Sequence, residues 1–147
     1  MSDLDDVRRF LGDENGLAIV STVQADGRVL SSVTNCGVTD HPGRGTPCVA
    51  FVSRGDASRL GHIRRGSAVT VAVRRGWTWR AVTGTADVIG PDDPADGVDG
   101  ERLRVLLREI FQAAGGDHDD YDEYDRVMAE ERRAAVFVAP DRILGNG

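Results

Sequence analysis

A chain of 147 residues with 40% hydrophobic and 29% charged residues has the composition of one globular domain around a single core, not of a disordered segment. It contains nothing near the roughly 18 consecutive apolar residues of a membrane span, and MSDLDDVRRFLGDENG lacks the apolar region of a signal peptide, so the expected compartment is the cytoplasm. A net charge of −6 disfavours a nucleic-acid surface.

Leu4, Val7, Phe10 and Leu11 recur at helical spacing, which predicts a short amphipathic helix over Ser2–Gly12, capped by Ser2 or Asp3. Gly16–Val23 reads as a strand, and Gln24–Arg28, with its Asp-Gly pair, as a hairpin turn returning through a strand from Val29 to about Val38. Thr39–Thr46 is a Gly- and Pro-containing loop. Pro47–Ser53 is almost wholly apolar and is expected to be a strand buried on both faces. A helix opening near Asp56 turns Leu60 and Ile63 inward and stops at Gly66.

Ser67–Val73 makes a fourth strand, Arg74-Arg75-Gly76 a tight turn, and Trp77–Ile89 a long fifth strand. The acidic connector PDDPADGVDGE leads to a helix over Val98–Ala114 with Leu103, Leu106, Leu107, Ile110 and Phe111 on one side. A second helix over Tyr121–Glu131 and a sixth strand over Arg133–Ala139 follow. Five or six mostly antiparallel strands in meander order, with helices inserted between them, suit a closed or half-closed barrel with its helices outside.

Chemistry concentrates between Ser53 and Arg80, where seven arginines accompany one acid, Asp56. Every basic residue of the chain is Arg and none is Lys, so an anion site here is built from guanidinium groups. Ser53, Arg54, Ser58 and Arg59 sit where a strand passes through a turn into a helix, a layout that offers N–H groups and an arginine fork to a phosphate. Asp56 could cap that helix and use some of the same N–H groups. Arg64 and Arg65 read as solvent-facing charges at the helix end.

Ser31, Ser32, Thr34 and Asn35 form a polar patch on an otherwise good strand, facing either a ligand or water. Trp77 and Trp79 share one strand face, as a core pair or as an aromatic wall beside a flat ring. His41, His62 and His118 accompany no nucleophile elbow, and His118 beside Asp119 and Asp120 is read as a helix start rather than a metal site. The acids Asp119, Asp120, Asp122, Glu123 and Asp125 read as a solvated helix start. Cys36 and Cys48 fit neither a redox pair nor a zinc site and are expected to be reduced, packed side chains.

ADGR with the SSVTN strand, SRLGHIRR, GWTWRAVTGTADVIG, HDDYDEYDRVMAEERRAAVFV and the closing RILGNG, in this order, resemble the pyridoxamine 5′-phosphate oxidase-like superfamily. The likeness is greatest to its small actinobacterial branch that uses the deazaflavin coenzyme F-420. The resemblance covers nearly the whole chain. It implies a mainly β (α+β) domain, a six-stranded antiparallel split β-barrel of the FMN-binding kind with peripheral helices, forming a homodimer with two coenzyme sites at the subunit interface.

It further implies that Arg59 and its turn hold the coenzyme phosphate, that Ser31–Asn35 lies along the ring system, and that the Trp77/Trp79 hairpin closes the site, in part from the partner chain. The family pattern at the helix is Lys, Asn-Leu, Asp-Pro. This chain has Arg59, His62-Ile63 and Gly66-Ser67 instead, keeping the charge but not the turn.

The expected function is an F-420-dependent reductase passing hydride to an unsaturated small molecule, with Arg54 and Arg59 on phosphate and Arg74 or Arg75 near an anionic tail. No metal is expected. The rivals are FMN on the same scaffold, a non-catalytic binder of flavin, haem or bilin, and a single-stranded nucleic-acid binder, the last disfavoured by the acidic charge.

Overall fold

Asp3 opens the first helix, α1 (Leu4–Asp13), in this computed structural model, which describes residues 3–147. Its carboxylate accepts from the N–H groups of Asp5 and Asp6 at 3.0 and 3.1 Å, satisfying donors that a helix start leaves without partners. Ser2, the other residue suited to that cap, lies outside the described residues. Val7, Phe10 and Leu11 share the buried side of α1.

The strands β1 (Leu17–Val23), β2 (Val29–Asp40), β3 (Pro47–Ser53), β4 (Val69–Arg75), β5 (Thr78–Gly84), β6 (Ala86–Ile89), β7 (Ala134–Val138) and β8 (Arg142–Gly145) pair antiparallel in the order β6-β7-β3-β2-β1-β4-β5-β8. The architecture is an antiparallel half-barrel with three further helices, α2 (Ser58–Arg64), α3 (Gly100–Ala113) and α4 (Tyr121–Glu130).

The described residues form eight strands where six were expected. The expected fifth strand breaks at Thr85. Gly84 lies so close to the returning chain that a Cβ there would meet the Ala139 carbonyl oxygen at 1.6 Å. The two halves therefore part, β5 pairing with β4 and β8, β6 with β7. The eighth strand, Arg142–Gly145, has no alternation of its own and takes its form from the edge of β5.

The long strand β2 divides the sheet. Val29–Asn35 pairs with β1, whereas Cys36–Asp40 pairs with β3, so β2 passes from one half of the barrel to the other and the halves diverge beside its first seven residues. The barrel interior is filled by Ala18 and Val20 of β1, Val49 and Phe51 of β3, Val69, Val71 and Val73 of β4, and Val82 of β5, closed by Phe10 of α1 and Leu60 of α2. A second cluster joins Ala50, Ala135 and Phe137 to Leu106, Leu107 and Ile110 of α3. β3 and β7 are thus covered on both faces, as the unbroken apolar run of β3 requires. Gly37 lets α3 lie directly on β2: a Cβ there would be 2.5 Å from the Ala113 carbonyl carbon.

Cys36 and Cys48 are both free and buried, and burial pushes the Cys36 thiol up to about 12. No helix is long and apolar enough to cross a membrane among the described residues.

Candidate functional site

The seven arginines between Ser53 and Arg80 meet different fates. Arg64 pairs bidentately with Asp93, at 2.9 and 2.5 Å, and Arg75 lies 3.1 Å from Asp13. Arg80, an inward residue of β5 only 6% exposed, donates to Asp6 at 3.2 Å and to the Asn146 carbonyl at 2.7 Å, over the Phe10 ring. Arg54 lies 3.3 Å from Asp56 and 3.6 Å from Glu131, so it is compensated within the chain, contrary to the expectation that it waits for a phosphate.

Among the described residues Arg59, Arg65 and Arg74 have no carboxylate partner. Arg65 and Arg74 are exposed, where water solvates them. Arg59 is half-buried. Its Nη1 donates to Thr34 Oγ1 at 2.8 Å, and its guanidinium sits 5.7 Å from the centre of the Phe51 ring. Burial lowers its pKa; the Cys36 thiol opposes that shift and the Arg133 charge adds to it. A half-buried cation answered by one hydroxyl and an aromatic ring, with no carboxylate, retains its charge for an outside anion.

The turn before α2 is less open than its sequence suggests. The helix has seven residues, its N-cap is Ala57 with no side-chain bond, and Asp56 accepts from Arg54 instead of capping. The Gly55 N–H donates to the Glu131 carbonyl at 3.1 Å. Ser53 is buried and donates to the Arg54 carbonyl at 3.2 Å, while Ser58 is exposed at the start of α2. An anion at this end of the barrel therefore meets the Arg59 side chain rather than a free helix start.

Exposure alternates along β2. Ser31, Val33 and Asn35 face out, while Leu30, Ser32 and Thr34 are half-buried. Asn35 donates to the Asn15 carbonyl at 2.9 Å, and Ser31 and Ser21 hydroxyls share a hydrogen bond of 2.8 Å. Where the barrel halves diverge, a groove of about 340 Å³ is lined by Val33, Thr34 and Asn35 with Phe111, Tyr124 and Arg133. One wall is the first part of β2, which is paired only on its β1 side. Tyr124 donates to the Leu107 carbonyl at 3.1 Å, and burial raises its hydroxyl to about 12, so it acts as a fixed donor and not as an acid.

Of the residues singled out in the sequence, the structure brings Thr34, Asn35 and Arg59 together at this split. It leaves Trp77 and Trp79 elsewhere. Trp77, at the β4–β5 turn, is 96% exposed and Trp79 is 40% exposed, so neither belongs to the core, which corrects the core-pair alternative. Arg80 occupies the inward position beside them. Trp79 lines an outer groove of about 450 Å³ with Leu17, Ile19, Val33 and Arg74, and Val33 is the residue that both grooves share.

Asn146 braces the tryptophan hairpin, accepting from the Trp79 N–H and donating to the Trp77 carbonyl, each at 2.8 Å. Asn146, Arg133, Phe111 and Tyr124 escape sequence reasoning, because chain return and helix docking alone put them beside β2 and β5. Asp125 also differs from expectation. It is part of no solvated helix start but binds Arg104 and Arg108 between α3 and α4, at 3.0 and 2.9 Å.

No family model matches the chain. Solved structures do. The conserved hypothetical protein Rv2991 of Mycobacterium tuberculosis is similar with a TM-score of 0.68 at 13% identity, over 99% of this chain and 84% of that one. A pyridoxamine 5′-phosphate oxidase-related, FMN-binding protein of Nostoc punctiforme gives a TM-score of 0.65 at 11% identity, over 99% and 86%. The chain has the split-barrel fold of these proteins.

An F420 reductase matches as well, with a TM-score of 0.59 at 12% identity over 88% of this chain and 90% of that one. The split-barrel resemblance carried by the SSVTN, SRLGHIRR and GWTWRAVTGTADVIG stretches thus agrees with the three-dimensional comparison. The split itself is the divergence of β1 and β3 from the two ends of β2.

Proposed function

We propose that this split barrel binds a phosphorylated flavin-type coenzyme in the groove beside β2 and serves as a cytoplasmic reductase of an unsaturated small molecule. F-420 is the favoured coenzyme and FMN the alternative. The observation that carries the reading is Arg59, half-buried, lacking a carboxylate among the described residues, and held by Thr34 beside an open groove. An FMN-binding protein and an F420 reductase of the same fold support the coenzyme class.

When bound, the coenzyme supplies hydride; the protein has to bind, orient and exclude water. Arg59 neutralises phosphate charge, and Thr34 fixes the direction of its guanidinium. The unpaired edge of β2 and the Phe111 and Tyr124 rings form a flat-walled slot suited to a planar ring system. Among the described residues the hydroxyls lining the groove are those of Thr34, which Arg59 already uses, and of Tyr124, which donates to the Leu107 carbonyl.

The outer face of the same strands supports a homodimer. Leu17, Ile19 and Val23 of β1 stand beside Val33 and Val29 of β2 and Trp79 of β5, all exposed on one surface. Contiguous apolar surface of this kind marks an interface more often than a solvated face. In this arrangement the Trp77 hairpin reaches toward the partner's groove and completes the site. Anaerobic oxidation of reduced F-420 by a panel of enones and quinones tests the activity. Turnover with one class of acceptor is the expected result; tight coenzyme binding without turnover across the panel would instead identify a binding protein.

A further inference from the structure

We propose that the groove between α3 and α4, on the far side of Met128 from the split, is a second ligand site for an uncharged, largely aromatic molecule with a carbonyl oxygen. The groove encloses about 370 Å³, within the range of small-molecule sites. Leu103 and Leu107 of α3 and Met128 and Ala129 of α4 make its floor and sides, and Pro91 closes one end. Leu103 and Met128 are only partly buried against the cluster beneath them, so apolar surface there remains available to a ligand.

The rim selects against charge. Its three arginines are each held by a carboxylate: Arg104 by Asp125 at 3.0 Å, Arg132 by Asp92 at 2.5 Å and Arg133 by Glu131 at 2.8 Å. An anionic ligand reaching these arginines would also stand beside the carboxylates that already neutralise them, so its charge gains little over that of a neutral oxygen. An uncharged ring gains by leaving water, and flat guanidinium groups stack on aromatic faces.

Donors remain for one carbonyl oxygen. Arg132 uses Nε and Nη2 on Asp92, and Arg133 uses Nε and Nη2 on Glu131, leaving the Nη1 group of each. The rim is also well placed. Arg132 takes a left-handed backbone with φ of 49°, and its carbonyl packs so tightly on Gly55 that a Cβ there would lie at 2.5 Å. The inference does not depend on the coenzyme reading, although Met128 and Arg133 form a wall common to both grooves.

The chain has two methionines, Met1 and Met128, so protein carrying methyl-¹³C methionine has a single internal reporter in this wall. Titration without coenzyme would compare 2-acetonaphthone with its anionic counterpart, 2-naphthoate. The expected result is a saturable shift of the Met128 methyl signal with the ketone, with naphthoate at least tenfold weaker. Leu103→Trp fills the groove from α3 without touching the split, and Ala129→Trp fills it from the exposed side of α4. Either variant, whichever retains the wild-type fold, should weaken the ketone response at least tenfold. Absence of a Met128 shift, equal binding of naphthoate, or an undiminished response in the filled variant would each overturn the proposal; the last would mean that the ketone sits in the split instead.

Discussion

Arg59 Nη1 donates to Thr34 Oγ1 at 2.8 Å, joining α2 to the first half of β2 at a residue that lines the groove. The pair holds a cation in a half-buried position and gives it a neutral acceptor. Such a charge costs stability in the absence of an anion, because burial opposes it and one hydroxyl compensates it only in part. Arg59→Met should therefore leave Tm unchanged or raise it, while the rise in Tm that a saturating coenzyme produces in the wild type becomes smaller. Calorimetric melting with and without FMN or F-420 checks both halves, and a fall of many degrees in the unliganded variant would show Arg59 to be a structural residue.

The apolar outer face makes a separate claim. Ile19 and Val33 are direct cross-strand neighbours, both exposed. Replacing both by Asp puts two like charges at the centre of the expected interface. Light scattering should find the wild type at about twice the 15.8 kDa chain mass and the double variant at the chain mass, with its melting retained. A wild-type monomer at micromolar concentration would remove the dimer from the account.

Arg80 and Arg74 lie six positions apart on the same hairpin and should behave oppositely. Arg80 is buried on Asp6 and on the Asn146 and Trp79 carbonyls, and its Nε is a buried donor without a partner. Arg80→Ala should destabilise the fold by about 3 kcal/mol in urea unfolding, the scale for breaking a buried ion pair. Arg74 is exposed and reaches only the Gly76 carbonyl, so Arg74→Ala should stay within about 0.5 kcal/mol of wild type.

Asp125 sets an acid limit. Hydrogen bonds from Arg108, and then from Arg104, outweigh burial and hold its carboxyl below the usual value of 3.8. A group depressed in the folded state contributes stability above its unfolded pKa and loses it as pH falls through the folded value. Denaturation midpoints measured from neutral pH downward should therefore decline below about pH 4. Asp125→Asn should be less stable at neutral pH and lose less of its stability on acidification.

Much of the fold is legible locally. The unbroken apolar run of β3 announces burial on both faces, the Asp-Gly turn announces the β1–β2 hairpin, and the leucine stripe of α3 announces the side that covers β3 and β7. What is hidden depends on chain return. The break at Thr85 reflects the close approach of Ala139 to Gly84, and β8 exists because β5 offers an edge. The arginine cluster is visible as a cluster, but its division is not. Whether Arg54 is free depends on Glu131, and whether Arg80 is free depends on Asp6, both distant in the chain. The tryptophans mislead for a related reason: alternation places them on one face but does not say that Arg80 has taken the interior.

The most direct test is a calorimetric titration of the purified protein with F-420 and with FMN, repeated on Arg59→Ala. The account predicts one saturable site per chain for at least one of the two, weakened in the variant by roughly 1.5–3 kcal/mol, the worth of a hydrogen bond to a charged group. Failure of the wild type to bind either coenzyme, or equal affinity in the variant, would contradict it.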